Sequence, residues 1–396
     1  MDTSNQSEGL NNFYDVIIIG VGSMGVSTCY FLSERGYKIL GLEQFDIPHE
    51  QGSYTGQSRI IRKAYFEHPD YVPLLIRAYE NWKKFEAETG ITLYYRTGLL
   101  YAGNPDHIIV KGVKKSAASY DIPLENFKPA SAFKRFPQFK IPAGFEILFE
   151  PDTGFITPEK AIQLYTKEAI KNGAAIHTKE KVLEWKKDGS GIIVITNKNI
   201  YRGNKLIITA GAWAGKMVPG LESKIKVTRQ FIAWIKPKKL HDYTLDEFPC
   251  WMIADNIKPG VYYGFPALPV ATFGGPEGLK LAHHYPGMVT DPDNVNRQTI
   301  NEDVENLKYV LDKYLPGTFD SVLSAKTCLY ANSPDEHFII DKLPGYEDHV
   351  TIACGFSGHG FKFVSVIGEI LADLATEDKT KFPIEFLNAK RFALIS

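Results

Sequence analysis

The chain has 396 residues, with 45 Lys and Arg against 46 Asp and Glu, a formal net charge of −1. That length exceeds one compact core and points to two domains. With no basic block, no acidic tail and no apolar run long enough for a membrane span, the composition offers nothing to nucleic acid or to a bilayer.

The start, Met1 to Asn12, is polar and lacks both a cationic n-region and an apolar h-region, so it reads as a frayed leader of a cytoplasmic protein. Tyr14 to Glu43 is the stretch around which the rest is organised. It opens with a β-branched apolar run, Val16 to Ile19, as in a strand buried on both faces of a parallel sheet. Gly20, Gly22 and Gly25, with Ser23 and Met24 between them, then give the G-x-G-x-x-G spacing. The first glycine serves a tight turn, the second close approach of a pyrophosphate, and the third helix-on-strand packing. A helix from Val26 to Arg35 would aim its unpaired N–H groups at that pyrophosphate, and Gly36 stops it. A second strand ends in Glu43, 18 residues after Gly25, where a carboxylate can accept both ribose hydroxyls of adenosine. An ADP-containing dinucleotide is the expected ligand.

After a loop from Asp46 to Tyr54 that includes Ser53, Ser58 is placed to cap a helix beginning Arg59-Ile60-Ile61-Arg62. At i and i+3 on such a helix, Arg59 and Arg62 share a face and repel unless an anion answers them, a ligand or else Glu67 or Asp70. Tyr71 to Thr89 is an amphipathic helix with Leu74, Leu75, Ala78, Trp82 and Phe85 on one side. From Ile91 to Phe149 the pattern is one of short strands and loops. Pro158 opens a helix that Gly173 ends. Lys181 to Trp185 and Gly191 to Thr196 read as a hairpin, and Lys205 to Ala210 as a second buried strand that ends in the small-residue turn Gly211-Ala212-Trp213. The chain thus returns to the nucleotide domain.

A second excursion includes strands near Arg229 to Ile235 and Val261 to Phe265. On the strand that follows Gly278, Lys280, Ala282 and His284 face one way and Leu279, Leu281 and His283 the other. That split argues against joint metal ligation by His283 and His284, and no other metal-ligand spacing occurs. Asn301 to Tyr314 is a helix. The last segment carries Phe338 to Asp341, the strand Val350 to Cys354, and a glycine-rich turn, Gly355 to Phe363, into a long helix. A helix N-terminus there would set backbone donors beside a developing anion, such as the N1–C2=O edge of a reduced flavin. The four cysteines, Cys29, Cys250, Cys328 and Cys354, are far apart and form no disulfide framework; Cys29 and Cys354 read as core residues. The final Ala393-Leu394-Ile395-Ser396 is not a peroxisomal address.

Several long motifs in this order resemble the monomeric sarcosine oxidase and N-methyltryptophan oxidase family. They are Gly56 to Arg62, Tyr262 to Pro266, Lys326 to Tyr330, Ser333 to Asp341 and Gly355 to Phe363, and the resemblance runs from about Tyr14 to Phe392. It implies an α/β fold: a glutathione-reductase-like Rossmann FAD-binding domain (13–92, 152–226 and 328–396) and a β-sheet-based α+β substrate domain (93–151 and 227–327). The cofactor implied is FAD, carried as an 8α thioether on Cys328. Its implied contacts are Gly20, Gly22, Ser23, Met24, Gly25, Glu43, Ser53, Arg59, Val182, Gly211, Trp213, Cys328, Gly355, Gly358, His359, Gly360 and Lys362.

The same resemblance implies catalytic roles. Arg62 and Lys362 match the pair that holds a substrate carboxylate, Arg59 flanks the flavin, and Lys280 matches the lysine that activates oxygen. His284, Tyr263, Tyr330 and Glu67 match residues lining the substrate cavity. The implied reaction is oxidative demethylation of a secondary amino acid, of sarcosine or N-methyl-L-tryptophan type, by a monomer that consumes dioxygen and releases formaldehyde and hydrogen peroxide. Two alternatives stay open: a cyclic imino acid such as L-pipecolate or proline as substrate, and an FAD dehydrogenase with another acceptor. Thr55 departs from the family, which commonly has histidine there, and the loop Ala267 to Pro276 is longer than in sarcosine-type members.

Overall fold

The computed structural model describes residues 12–285 and 287–392; the leader before Asn12 and the C-terminal Ala393 to Ser396 lie outside them. The chain divides into two compact units: one holds the chain up to Thr55, Glu159–Thr228 and everything from Leu329, the other Gly56–Pro158 and Arg229–Cys328. Residues 56–92, expected with the nucleotide domain, group instead with the second unit. So do residues 152–158, and the two stretches are joined by the pairing of Arg59–Ile61 with Gly154–Ile156.

In the first unit an eight-stranded sheet is built on Phe13–Ile19, which runs parallel to Ile200–Ile208 on one side and to Ile39–Leu42 on the other. Val350–Cys354 adds in parallel to Ile200–Ile208, and Val182–Asp188 with Gly191–Thr196 forms the expected hairpin. Val16 to Ile19 are buried whichever face of the sheet they stand on, which is why the run shows no alternation. The helix Ser23–Glu34 begins three residues before the expected start, and it crosses the helix Val364–Thr376 closely. A Cβ at Gly368 would stand 2.2 Å from Ser27 Oγ, so the crossing needs glycine.

The second unit is organised on a nine-stranded sheet ordered Met288–Val289, Lys226–Pro237, Leu279–His284, Val261–Gly264, Cys250–Ile253, Leu99–Gly103, Glu146–Glu150 and Glu125–Phe127, with Phe319–Asn332 also on Lys226–Pro237. Alternation divides its side chains between two faces. Ala233, Ile235, Leu279, Leu281 and Tyr262 pack on the helix Asn301–Tyr314. Ile232, Trp234, Ala282, Cys328 and Tyr263 gather on the opposite face, continued by Met252, Tyr101 and Phe265.

Two expectations are corrected. Arg59–Ile61 is a strand, not a helix, because the β-branched pair Ile60-Ile61 suits pairing with Gly154–Ile156. Three residues apart on extended chain, Arg59 and Arg62 do not share a face. Within 91–149, the helices Ile108–Ser119 and Pro129–Arg135 stand where strands and loops were expected. The β-branched opening Ile108-Ile109-Val110 disguised the first, whose buried Ile109, Val110, Val113 and Ala117 have helical spacing. Among the described residues, no helix is long and apolar enough to cross a membrane, and no group of three or more His, Cys, Asp or Glu could hold a metal ion.

Candidate active site

In the first unit the ligand-facing surface is made of backbone. Gly20 turns the chain at φ 88°, and its N–H donates to Leu42 O at 2.9 Å. A Cβ on Gly25 would meet Gly20 O at 2.0 Å, so the helix sits directly on the turn. Gly22 lies at the helix N-terminus, where a Cβ would meet no atom within 4 Å, which leaves its peptide approachable by a pyrophosphate. Ser23 and Met24 form the first turn of the helix. Thr209 Oγ1 donates to Gly20 O at 2.6 Å, bringing the Gly211–Trp213 turn beside the glycines. Gly211 has φ 53° and, like Gly22, no neighbour for a Cβ.

Glu43 follows the strand Ile39–Leu42 and is buried. Its Oε2 accepts from the Val21 N–H and its Oε1 from the Phe45 N–H, both at 3.0 Å. Burial pushes its carboxyl up to about 7, against the pull of those N–H groups. Each oxygen retains a lone pair for a ribose hydroxyl. Glycine cradle, helix N-terminus and carboxylate together fit the ADP half of FAD. Val182 is buried in the same unit, Trp213 packs on Phe45 at 5.4 Å, and Ser53 is exposed. Thr55, the departure from the family, is buried.

The C-terminal motif closes on itself in this unit. Gly355, Ser357 and Gly358 all have positive φ, and a Cβ on Gly358 would lie 2.2 Å from the Tyr330 ring. Ser357 N–H donates to Ala331 O at 3.0 Å, binding the motif to the Tyr330 segment. His359 Nε2 stands 3.0 Å from Glu336 O, and the Lys362 ammonium donates to His359 O at 2.7 Å. Gly360 caps the short turn Phe361–Phe363 that leads into the final helix. Tyr330, Gly358, His359 and Lys362 are thus brought together.

In the second unit the chemistry is carried by side chains. Lys280, on Leu279–His284, is 1% exposed. Its ammonium donates to Ser58 O and to Ser58 Oγ, the latter at 3.2 Å, and lies 4.4 Å from the Phe265 ring centre. Arg59 Nη1 donates to the same Ser58 carbonyl at 2.9 Å, so one oxygen answers two cations. The Cys328 thiol is buried on this face. Burial pushes it up, while Arg59, Lys280 and Arg297 pull it down towards thiolate. Tyr263 and His284 belong to the same face, pairing with Ala282 and Val261 in register.

Arg62 is buried, and its Nη2 donates to both Glu67 oxygens at 2.6 and 2.7 Å and its Nη1 to Ala64 O at 3.2 Å. Burial opposes the charge, yet Glu67 with Tyr101 and Tyr65 holds the guanidinium above its ordinary value. Glu67, one of the partners considered for this arginine, is the anion that answers Arg62, although not for the reason of a shared helix face. Glu150, which sequence reasoning missed, fixes the same corner: it accepts from Lys63 N–H at 2.8 Å, Ala64 N–H at 3.1 Å and Tyr101 OH at 2.8 Å. A carboxylate closing the apolar run Ile147-Leu148-Phe149 was the available signal. Gln57 and Trp234 were also missed: Trp234 Nε1 donates to Gln57 Oε1 at 2.8 Å.

A family described as FAD dependent oxidoreductase matches residues 15–374. Monomeric sarcosine oxidase of Streptomyces avermitilis is 37% identical over 385 residues, covering 96% of this chain and 98% of that one. N-methyl-L-tryptophan oxidase of Salmonella enteritidis is 33% identical over 382 residues, covering 96% and 99%. Among solved structures, NikD, an unusual amino acid oxidase essential for nikkomycin biosynthesis, shares the fold at TM-score 0.82 and 24% identity, over 95% of this chain and 97% of that one. L-proline dehydrogenase from P. horikoshii does so at TM-score 0.80 and 24% identity, over 96% and 98%.

Proposed function

From the premise that this chain belongs to the FAD dependent oxidoreductase family, as an oxidoreductase acting on CH–NH groups and related to the sarcosine and N-methyltryptophan oxidases, we propose that it oxidises an N-methyl amino acid and passes the electrons to dioxygen. The observation that carries this reading is one sheet face holding Lys280, His284, Tyr263 and Cys328. FAD, when bound, supplies the acceptor for a hydride equivalent from the C–H next to nitrogen. The remaining work falls to side chains. Arg62 and Lys362 bind the substrate carboxylate, one as a planar fork and the other as a compact charge. Tyr263, His284 and Tyr330 shape the space around the amine, which must be neutral to give up hydride. The imine then takes up water and splits into formaldehyde and the demethylated amino acid.

Lys280 is the cation that faces dioxygen, and Cys328 is the point of covalent attachment. Its sulfur would hold the flavin there; burial disfavours the thiolate that attachment needs, and Arg59, Lys280 and Arg297 offset part of that cost. The test is a peroxide-coupled assay of the purified holoenzyme with sarcosine, N-methyl-L-tryptophan, L-pipecolate and L-proline, run beside an artificial electron acceptor. Peroxide with an N-methyl substrate supports the reading. Turnover of cyclic substrates alone, or only with the artificial acceptor, replaces it by one of the alternatives. Acid precipitation checks the linkage: yellow pellet from the unmodified protein, yellow supernatant from Cys328→Ala.

A further inference from the structure

We infer that Gln57 is a positioning residue for Lys280, acting on both aromatic walls of the ammonium site through one side-chain amide. The inference rests on the reading of Lys280 as the cation that faces dioxygen. Three segments of the second unit converge on that ammonium: the turn at 56–58, the strand Lys226–Pro237, and the loop running from Phe265 back to Leu279. Ser58 supplies the oxygens, Phe265 one ring face at 4.4 Å, and Trp234 another at 6.0 Å. Trp234 and Lys280 are register partners on adjacent strands, so the indole cannot move without displacing the lysine's neighbour.

Gln57 ties the three together. Its Oε1 accepts from Trp234 Nε1 at 2.8 Å, and its Nε2 donates to Gly274 O in the loop. A side-chain amide accepts at its oxygen and donates at its nitrogen, so one group can hold both segments. The backbone shows how much the arrangement demands. Gln57 has φ 68°, a region L side chains seldom occupy, and Gly56 before it has φ 115°. Ser58 N–H then donates to Gly56 O at 2.7 Å, a tight turn that aims the Ser58 carbonyl at the ammonium. On the loop side Gly274 and Gly275 are also left-handed, and a Cβ on Gly275 would come within 3.2 Å of Gln57 Nε2. The loop therefore closes directly onto the amide. Phe265 N–H donates to Lys280 O at 3.0 Å, which fixes where the loop departs.

Dioxygen takes two electrons from the reduced cofactor and two protons, one from the cofactor and one from solvent, and leaves as hydrogen peroxide. After the first electron an anion stands in need of a fixed cation, and the direction of the Lys280 ammonium decides how well it is met. Substrate oxidation makes no such demand on Lys280. Loss of the Gln57 ties should therefore act on one half-reaction only.

The experiment compares the holoenzyme with Gln57→Leu, Trp234→Phe and the double variant. Gln57→Leu should slow reoxidation of the substrate-reduced enzyme by oxygen roughly three- to tenfold and leave reduction by substrate within about twofold. Trp234→Phe should do the same, and the double variant should add little, because both remove one interaction. Hydrogen exchange gives a readout apart from turnover: backbone amides of 272–278 should exchange about tenfold faster in Gln57→Leu. Unchanged reoxidation, equal slowing of both half-reactions, or additive effects would overturn the role given to Gln57. If the unmodified reduced enzyme reacts with oxygen no faster than free reduced flavin, the reading of Lys280 fails and this inference with it. Should Gln57→Leu not fold, Trp234→Phe alone decides, by the same split between half-reactions.

Discussion

The two units present themselves to a ligand in opposite ways. In the first, Gly20, Gly22, Gly25 and Gly211 expose peptide groups, and the Glu43 carboxylate is bonded to the backbone N–H groups of Val21 and Phe45. In the second, the charged side chains Lys280, Arg59, Arg62, Glu67 and Glu150 make the site, Lys280 and Glu150 held by hydrogen bonds to residues far away in sequence and Arg59, Arg62 and Glu67 by local ones. An added atom at Gly20 or Gly25 collides with backbone, and one at Gly22 or Gly211 takes the space left for a ligand, whereas a side-chain site can lose a member and keep its shape. Substitutions in the first unit should therefore remove the cofactor altogether, and substitutions in the second should change rates on an enzyme that still holds it.

Gly25→Ala is the harshest way to break that contrast. The new methyl would lie 2.0 Å from Gly20 O and 2.8 Å from Thr209 Oγ1, and backbone cannot yield as a flexible side chain can. Purified Gly25→Ala should carry little or no flavin, read as the ratio of visible flavin absorbance to protein absorbance. A normal ratio would show that the turn is softer than its contacts imply.

Lys280→Met should instead leave flavin content intact and slow reoxidation. At about 4 Å and an effective dielectric near 20, a fixed cation attracts a unit anion by about 4 kcal/mol, or roughly three decades in rate. Stopped-flow mixing of the reduced variant with oxygen measures it. A rate equal to that of the unmodified enzyme would remove Lys280 from the oxygen step.

Arg62→Met comes next. A charged hydrogen bond to a carboxylate is worth about 1.5–3 kcal/mol, so kcat/KM should fall roughly tenfold to more than a hundredfold for an amino acid. A descarboxy amine of equal size should be nearly indifferent to the change. Because Arg62 also answers Glu67, Arg62→Met leaves a half-buried carboxylate without that partner, and the double variant Arg62→Met, Glu67→Gln separates lost stability from lost binding. If the amine and the amino acid suffer alike, the carboxylate role is wrong.

The same contrast explains what could be read from sequence. A backbone site leaves letters behind: glycines at fixed spacing, an apolar strand before them and Glu43 after the next strand. The alternation around Lys280 was legible too, since a strand with one apolar face and one mixed face writes its period directly. Ser58 misled because a serine before Arg59-Ile60-Ile61 looks like a helix cap; in the fold its oxygens are spent on Lys280. Gln57 and Trp234 are 177 positions apart, and a hydrogen bond at that separation imposes no pattern on either neighbourhood. Arg62, Cys328 and Lys362 drew their roles from family resemblance, because no local rule distinguishes a buried working cation or thiol from an inert one.

The smallest effect is also a contrast of sign, between Glu43 in one unit and His283 in the other. Glu43 has its carboxyl pushed up to about 7 by burial, above the ordinary 4.5. In protein freed of flavin, folding therefore favours the protonated acid, so its contribution is full below about 4.5 and is lost as pH rises to about 7. His283 runs the other way. Its ring stacks on Tyr262 at 4.0 Å, its Nε2 stands 2.7 Å from Pro259 O, and its Nδ1 lies 3.0 Å from Asn306 Nδ2. That geometry suits a neutral ring that donates at Nε2 and accepts at Nδ1. Burial holds it below the ordinary value for histidine, Lys258 assists, and the Pro259 carbonyl and Asp255 oppose. Its stabilising contribution is therefore full above about 6.5 and is lost as pH falls below that value. Each should be worth on the order of 1 kcal/mol, since relaxation and water penetration cut the cost of burying charge. Unfolding the flavin-free Cys328→Ala protein with and without Glu43→Gln or His283→Gln, from pH 5 to 7.5, isolates each group. The advantage of the parent over the Glu43→Gln variant should shrink as pH rises, and its advantage over the His283→Gln variant should grow. Two differences that move in the same direction would mean that one of these groups is not held as its neighbours imply.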